Sequence, residues 1–345
     1  MAYSIRIDDF SQQEWESAAR DFCDYTIYQT WPYQQVRAEM ENQSISRAIL
    51  QDSDQRTVAM FQVRIKKLPF PGFRVGYVQR GPLLRRRDGL SVSESDVFDL
   101  IRDSYLNKKV DILRLVPNIP DDEYGKHVAQ CLLKSRFDCV KNAPVYQTFI
   151  MPVSEGEDAI LERMDRSWRR SLKKARRDEH EIVEDTSLKA FEIVTAIYDQ
   201  TKRRKGFVGV NPEIFIKTQE RLSPSEKIPV IVVYKNAVPV TVHASSFLGR
   251  IGEGIIAAST EEGLASGASY IAWWKTLQAA CSNGMHSYDL GGIDPVKNPS
   301  VYLFKKRMGA DESRLIGTFD AVSGPVKKGI FYSLENLYRF LVKFK

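Results

Sequence analysis

"RIGEGIIAASTEEGLASGASYIAWWKTLQAACSNGMHSYDLGG", Arg250 to Gly292, changes periodicity twice and so decides the fold class. Its opening, "RIGEGIIAAST", follows a hairpin turn at Gly249–Gly252 and reads as a strand. A loop of small residues then leads into "SYIAWWKTLQAACSNG". There Tyr270, Trp273, Leu277 and Ala280 recur at three and four to make one apolar helical face, which Gly284 stops. "HSYDL" returns the chain to a strand. A strand, a Gly/Ser loop and a helix N-terminus present backbone N–H groups to an anion, and the same residues read equally well as a turn into a packed helix.

Upstream, "IPVIVVYKNAVPVTVHASSFLG" gives two more strands turning at Asn236 and Ala237. Before them come helical "SLKAFEIVTAIYDQTKRR" and "NPEIFIKTQERL" and a basic helix in "LERMDRSWRRSLKKARRDEHEIV". The first half carries a comparable series. Helical "SQQEWESAARDF" and "WPYQQVRAEME" precede strands between Arg47 and Leu84, followed by the helix "SESDVFDLIRDSYLNKK", the strand "VDILRLVP", a helix near "DDEYGKHVAQCLLKS" and the strand "PVYQTFIMPV". The expectation is an α+β chain in two similar halves, residues 1–150 and 151–322, with a terminal helix 325–345 joining the first. A chain of 345 residues with 43% hydrophobic and 27% charged residues is globular and longer than one core usually grows.

Several chemistries find no support. Cys23, Cys131, Cys139 and Cys281 lack the paired spacing of a zinc site, and His127, His180, His243 and His286 are scattered, so neither a metal nor any other cofactor is expected. His243 sits mid-strand and reads as a structural histidine. Neither a G-x-S-x-G elbow nor a phosphate loop occurs. The start lacks a secretory pattern and no apolar run is long enough to span a bilayer, which predicts a cytoplasmic protein.

Charge is the more informative signal. Lys and Arg number 50 against 44 Asp and Glu, a net of +6, unevenly spread. Arg166, Arg169, Arg170, Lys173, Lys174, Arg176 and Arg177 fall between Asp165 and Asp178 with no acid among them, while Leu161, Met164, Trp168, Leu172 and Ala175 form an apolar stripe on the same predicted helix. Lys202, Arg203, Arg204 and Lys205 make a second cluster, and Lys305, Lys306 and Arg307 a third. Brought together by folding, they form the footprint of a phosphate-rich ligand; kept apart, they are solvated faces.

The order of "SWRRSLKKARRDEHEI", "RRKGF", "YKNAVPVTVHAS", the opening stretch and "PSVYLFKKRMG" resembles the Fem family of peptidoglycan-bridge aminoacyltransferases. The likeness is clearest from Arg166 to Gly309, with "YDLGG" and "YLFKKRMG" its strongest motifs, and weaker over Tyr28–Arg37 and the first half. It implies two GNAT-like domains, with mixed and largely antiparallel sheets flanked by helices, facing across a cleft. It implies transfer of an amino acid from aminoacyl-tRNA to a peptide-stem amine of a cell-wall precursor, lipid-linked or nucleotide-linked, without a metal. Within it Phe304 would stack on the terminal adenosine and Lys305 would sit at the reacting ester as the catalytic cation. Lys306, Arg307, Arg170, Lys173, Lys174 and Arg177 would bind tRNA. Spacing alone reads Val301, Tyr302 and Phe304 as core and the lysines as solvated.

On the acceptor side, Arg37 matches a family cation, Asp289 beside the glycine turn can take an amine or serve as a base, and Asn211, Phe215 and Ile256 stand where the family's nucleotide-precursor branch has an arginine and two tyrosines. The chain lacks a heptad segment and so resembles the compact, armless type. The terminal helix, with Phe331, Leu334, Leu337, Phe340 and Leu341 on one side, is expected to pack on the first domain, its basic rim offering an alternative seat on an anionic membrane. Two other functions fit the same cations: an acyl-CoA N-acyltransferase, whose usual tighter glycine loop is missing here, and a non-catalytic RNA-binding protein.

Overall fold

The computed structural model describes residues 3–68, 72–206 and 209–343, and side chains up to residue 336. The readings of Leu337, Phe340 and Leu341 on the terminal helix therefore lie outside the described side chains. The chain divides into two compact units: unit 1 is Met1–Phe22, Arg37–Val145 and Leu315–Lys345, and unit 2 is Cys23–Val36 and Tyr146–Arg314.

The first elements are β1 (Ser4–Ile7), α1 (Gln12–Ala19), α2 (Trp31–Met40), β2 (Ser44–Gln51), β3 (Thr57–Lys67), β4 (Arg74–Gln79), α3 (Glu94–Tyr105), β5 (Ile112–Val116), α4 (Glu123–Lys134) and β6 (Asp138–Cys139). Next come β7 (Gln147–Pro152), α5 (Glu157–Arg163), α6 (Arg166–Ala175), β8 (Glu181–Asp185), α7 (Leu188–Lys205), α8 (Pro212–Arg221), β9 (Val230–Lys235) and β10 (Val238–Ser246). The chain finishes with β11 (Ile251–Ser259), α9 (Glu261–Ala265), α10 (Ala268–Ser282), β12 (Ser287–Asp289), α11 (Pro299–Lys306), β13 (Asp311–Arg314), β14 (Phe319–Val322) and α12 (Pro325–Lys343).

Each unit is built on a seven-stranded sheet, ordered β1-β2-β3-β4-β5-β14-β6 in unit 1 and β8-β9-β10-β11-β12-β7-β13 in unit 2. The two orders superimpose strand for strand. Each sheet contains one parallel pair, β4 with β5 and β11 with β12, and every other neighbour is antiparallel. The α+β class with mixed, largely antiparallel sheets is what the periodicity predicts. The inserted strand differs: β7 enters unit 2 at the start of its run, whereas unit 1 waits for β14, which arrives only after all of unit 2 has been laid down. The short strands β8, β13 and β14 carry weak patterns and escape the sequence reading.

The basic helix departs from its expected form. It breaks at Asp165, whose backbone leaves the helical region (ψ 144°) and whose carboxylate caps the Ser167 N–H at 2.7 Å, so α5 ends and α6 begins anew. The apolar stripe survives the break: Met164, Trp168, Leu172 and Ala175 are all buried. Alternation along β9 sorts unit 2 into two cores. Ile231 and Val233 pack with Trp168, Leu172 and Leu277 on one side of the sheet, Val230 and Val232 with Phe191 and Val194 on the other.

In unit 1, α12 is held by both packing and charge. Phe331 packs with Phe73, Val75 and Ile112, while Arg114 donates to both Asp320 oxygens at 2.8 Å and to Glu335 at 2.6 and 3.1 Å. Asp320 is fully buried and also accepts from the Tyr332 hydroxyl. Burial opposes the Arg114 charge, but the hydrogen bonds to Asp320 and Glu335 outweigh it and raise its pKa. Removing one member of such a buried network strands the others. Arg114→Ala is expected to lower unfolding free energy by about 3 kcal/mol in a urea titration, with a smaller loss for Glu335→Gln.

Candidate functional site

The site begins where the parallel pair in unit 2 parts. β11 pairs with β12 over Ile251–Ser287, Gly252–Tyr288 and Glu253–Asp289 only, yet β11 continues to Ser259. On that side, among the described residues, β11 has no partner strand beyond Glu253. Unit 1 is closed at the equivalent place, since β4 and β5 stay paired from Val75–Ile112 to Gln79–Val116. The open gap in unit 2 is occupied by a pocket of about 840 Å³, bounded by β11 from Gly254 to Ser259, the Leu290–Gly292 turn, α10 at Tyr270 and Trp273, α11 at Phe304 and Lys305, and α7 at Arg204 and Lys205. Backbone groups in such a gap are open to a ligand.

Asp289 ends β12 and builds the turn. Its carboxylate accepts from Thr148, from the Gly291 N–H at 2.7 Å and from the Tyr146 hydroxyl at 3.3 Å, and the residue is buried. The turn directs the Gly291 and Gly292 carbonyls at Lys305, whose Nζ donates to them at 2.9 and 3.1 Å. Lys305 is only 7% exposed, with its amine 5.8 Å from the Trp273 ring centre. Burial pushes its pKa down to about 8, and Asp289 partly counters that. Lys305 is therefore a core residue with a charge facing the pocket, contrary to the spacing-only reading of a solvated lysine.

Phe304 is half-buried in an aromatic group, with ring centres 5.2 Å from Tyr270, 5.9 Å from Trp168 and 6.4 Å from Trp273. Phe304 also lines the pocket. His243 forms part of the wall behind it. Its Nδ1 meets the Thr276 hydroxyl at 2.9 Å, its Nε2 the Tyr288 hydroxyl at 3.4 Å, and its ring lies 4.2 Å from Trp273. Complete burial, and then the Lys305 charge, push it down to about 3, so it is neutral and serves as structure.

The remaining cations sort by location. Lys306 and Arg307 are exposed at the end of α11, Lys306 lying over the Tyr302 ring. On α6, Arg166, Arg169, Arg170, Lys173 and Lys174, and just beyond its end Arg177, are exposed and make no ion pair among the described residues. Arg176 instead lies over Trp274 at 5.2 Å. Most acceptor-side residues are engaged elsewhere in their own units. Arg37 is on α2 in unit 1, paired with Glu41. Asn211 caps α8 through the Glu213 N–H at 3.1 Å, and Phe215 is buried against Tyr33. Ile256 alone of that set lines the pocket. Sequence reading missed Trp273 and His243 as pocket wall, since both carry ordinary core patterns.

A trio outside the pocket is also invisible to spacing. Glu94, His127 and Cys131 of unit 1 bring their donor atoms within 4.8 Å. Contacts from His127 Nε2 to the Glu94 carboxylate and to the Cys131 sulfur, each at 3.6 Å, account for it. The four cysteines are free.

The FemAB family model matches residues 230–339, a stretch that runs from β9 through the pocket strand, the glycine turn and α11. Over this stretch the chain is similar to the FemAB family. A crystal structure of FemX superimposes with a TM-score of 0.78 at 15% identity, covering 92% of this chain and 97% of that one. The C-terminal domain of a putative lysylphosphatidylglycerol synthetase from Agrobacterium fabrum gives 0.55 at 10%, covering 94% and 95%. A conserved protein of unknown function from Bacteroides thetaiotaomicron gives 0.58 at 9%, covering 92% and 99%. No curated protein matches the chain in sequence. The likeness to FemX extends through both units, and the Fem resemblance with its GNAT-like fold is borne out.

Gly291 is the local weak point of the Fem-like turn. Its φ is +82°, and an added Cβ would meet the Gly254 carbonyl at 3.2 Å and the Lys305 amine at 3.6 Å. Gly291→Ala is expected to cost about 1–2 kcal/mol in chemical denaturation. Gly292→Ala, with no positive φ and a nearest contact of 3.4 Å to Tyr146, is expected to cost less.

Proposed function

We propose that the protein transfers an amino acid from aminoacyl-tRNA to an amine on a peptidoglycan precursor peptide or a chemically similar acceptor. The observation that carries this reading is a desolvated Lys305, anchored by two glycine carbonyls, at the open side of β11 with an aromatic platform beside it. An aminoacyl ester is already activated, so such a site needs a cation for the developing oxyanion and precise placement rather than a nucleophile.

The acceptor nitrogen bonds to the ester carbonyl carbon, and the carbonyl oxygen becomes an oxyanion facing the Lys305 ammonium. The carbon–oxygen bond to the ribose then breaks as the carbonyl re-forms, and the proton lost by the nitrogen goes to the leaving oxygen. Phe304 gives the terminal base a stacking partner, worth about 1 to 3 kcal/mol. The unpaired cations of α6, with Lys306 and Arg307, meet tRNA phosphates.

The acceptor is lipid-linked rather than nucleotide-linked in this reading. Asn211 and Phe215 are committed to a helix cap and a core, and Ile256 has no donor, so none of the three supplies a hydrogen bond to a nucleotide diphosphate. Among the described residues no helix is long and apolar enough to cross a membrane, so the acceptor would be met from one membrane face.

The deciding experiment supplies a radiolabelled pool of aminoacyl-tRNAs with a nucleotide-linked or a lipid-linked precursor. Label on the lipid-linked product supports the reading. Label on neither, with charged tRNA unbound and acyl-CoA consumed, replaces it with acyl-CoA chemistry.

Lys305→Ala is expected to lower kcat by about 10²–10³ while tRNA affinity holds; equal losses in both would remove its catalytic role. Below about 8 the Lys305 amine is protonated and active, and above it the charge is lost, so kcat should fall as pH rises through about 8. Lys305→Arg should carry that descending limb to far higher pH, read from the pH profile. For α6, Arg170→Ala with Lys174→Ala should weaken tRNA binding and reduce the salt slope by about 2 in a filter-binding series.

A further inference from the structure

Only part of the α7 cluster reaches the pocket. Lys202 and Arg203 do not line it, whereas Arg204 and Lys205 do, at the end of α7. Neither of the latter is ion-paired among the described residues. Arg204 donates from Nη2 to the Ser259 carbonyl at 3.0 Å, and its Nη1 is buried with no hydrogen-bond partner among the described residues. A buried guanidinium N–H without an acceptor is costly, and a ligand oxygen removes that cost. Partial burial and then the neighbouring Arg204 charge push the Lys205 ammonium down, so an anion there relieves both.

The pocket floor beside them is polar as well. Ser259 sits between the Thr241 hydroxyl at 3.0 Å and the Ser269 hydroxyl at 2.8 Å. The chamber thus has a reactive end at Lys305 and a cationic, hydroxyl-lined end at Arg204 within one cavity of about 840 Å³. Much of the wall between is aromatic and aliphatic, from Trp273, Tyr270 and Ile256.

We propose that Arg204 and Lys205 form a phosphate subsite that holds the 5′-phosphate of the donor's terminal nucleotide while its ester lies at Lys305. This assignment rests on the donor reading given above and names the part of the donor that the site grips. A nucleotide ester and the other phosphate-bearing donor differ in the span they require. In an aminoacyl nucleotide only the ribose separates phosphate from ester, whereas in acyl-CoA the whole pantetheine arm intervenes. Phosphate also matches the donors present: a guanidinium, an ammonium and hydroxyls, with no carboxylate among the residues lining the pocket.

The test uses an aminoacyl-adenosine analogue with an amide in place of the ester, with and without a 5′-phosphate, and measures binding to the full chain by calorimetry. In the unaltered protein the phosphate is expected to tighten binding about tenfold or more. In Arg204→Ala with Lys205→Ala that advantage should vanish while the phosphate-free analogue binds as before; Arg204→Lys should keep part of it. A phosphate that adds nothing in the unaltered protein, or an advantage that survives both substitutions, overturns the subsite. Coenzyme A and pantetheine form the second arm. Neither adenosine analogue binding, with coenzyme A preferred over pantetheine in an Arg204-dependent way, overturns the tRNA reading and the nucleotide assignment while leaving a phosphate site of another kind. Both adenosine analogues binding equally leaves the tRNA reading intact and removes the subsite alone.

Discussion

Three rungs of parallel pairing between β11 and β12 are the constraint on which the site depends. Strand β12 stops at Asp289, whose carboxylate turns inward to the Gly291 N–H, Thr148 and Tyr146, and the chain parts from β11 while Leu290 and Ile293 still donate to the β7 carbonyls of Phe149 and Gln147. Had β12 continued beside β11, as β5 continues beside β4, the backbone groups of Gly254 to Ser259 would be paired and the pocket filled. One fold, used twice, is thereby closed in one unit and open in the other.

The glycine turn links that opening to chemistry. A positive φ at Gly291 aims two carbonyls at the Lys305 amine, and these, with the Trp273 face, hold a cation that burial would otherwise exclude. The depressed Lys305 pKa and the neutral His243 follow from the same dry environment. Position is fixed by the fold, and protonation by burial. The unpaired cations of α6 follow a different logic: Trp168, Leu172 and Ala175 anchor one face, leaving the charged face without protein partners among the described residues.

Much of the fold was legible because long elements announce their period. The α10 face of Tyr270, Trp273, Leu277 and Ala280, and the hairpin of β9 and β10 at Asn236 and Ala237, lie where their patterns predict. Strands of two to five residues, such as β8, β13 and β14, contain too few alternations to register, and the break at Asp165 is a local cap overriding a helical stripe that continues through it. Of the site, "YDLGG" and "YLFKKRMG" were visible as motifs. Of the residues read from sequence as acceptor-binding, Asn211 holds a helix cap, Arg37 an ion pair and Asp289 the glycine turn.

Sequence by itself determined the element types, the α+β class, the near-repeat of two halves and the clustering of cations, because these depend on neighbours within a few residues. Tertiary structure alone decided which cations are buried, which reach the pocket and which parallel pair opens. Lys305 and Lys306 are adjacent in the chain, yet one is anchored on glycine carbonyls and the other lies exposed beside Tyr302. Arg203 and Arg204 divide in the same way at the pocket wall. The physical reason is that burial and partner geometry come from groups tens of residues away, brought together only when β12 ends early and the sheet parts.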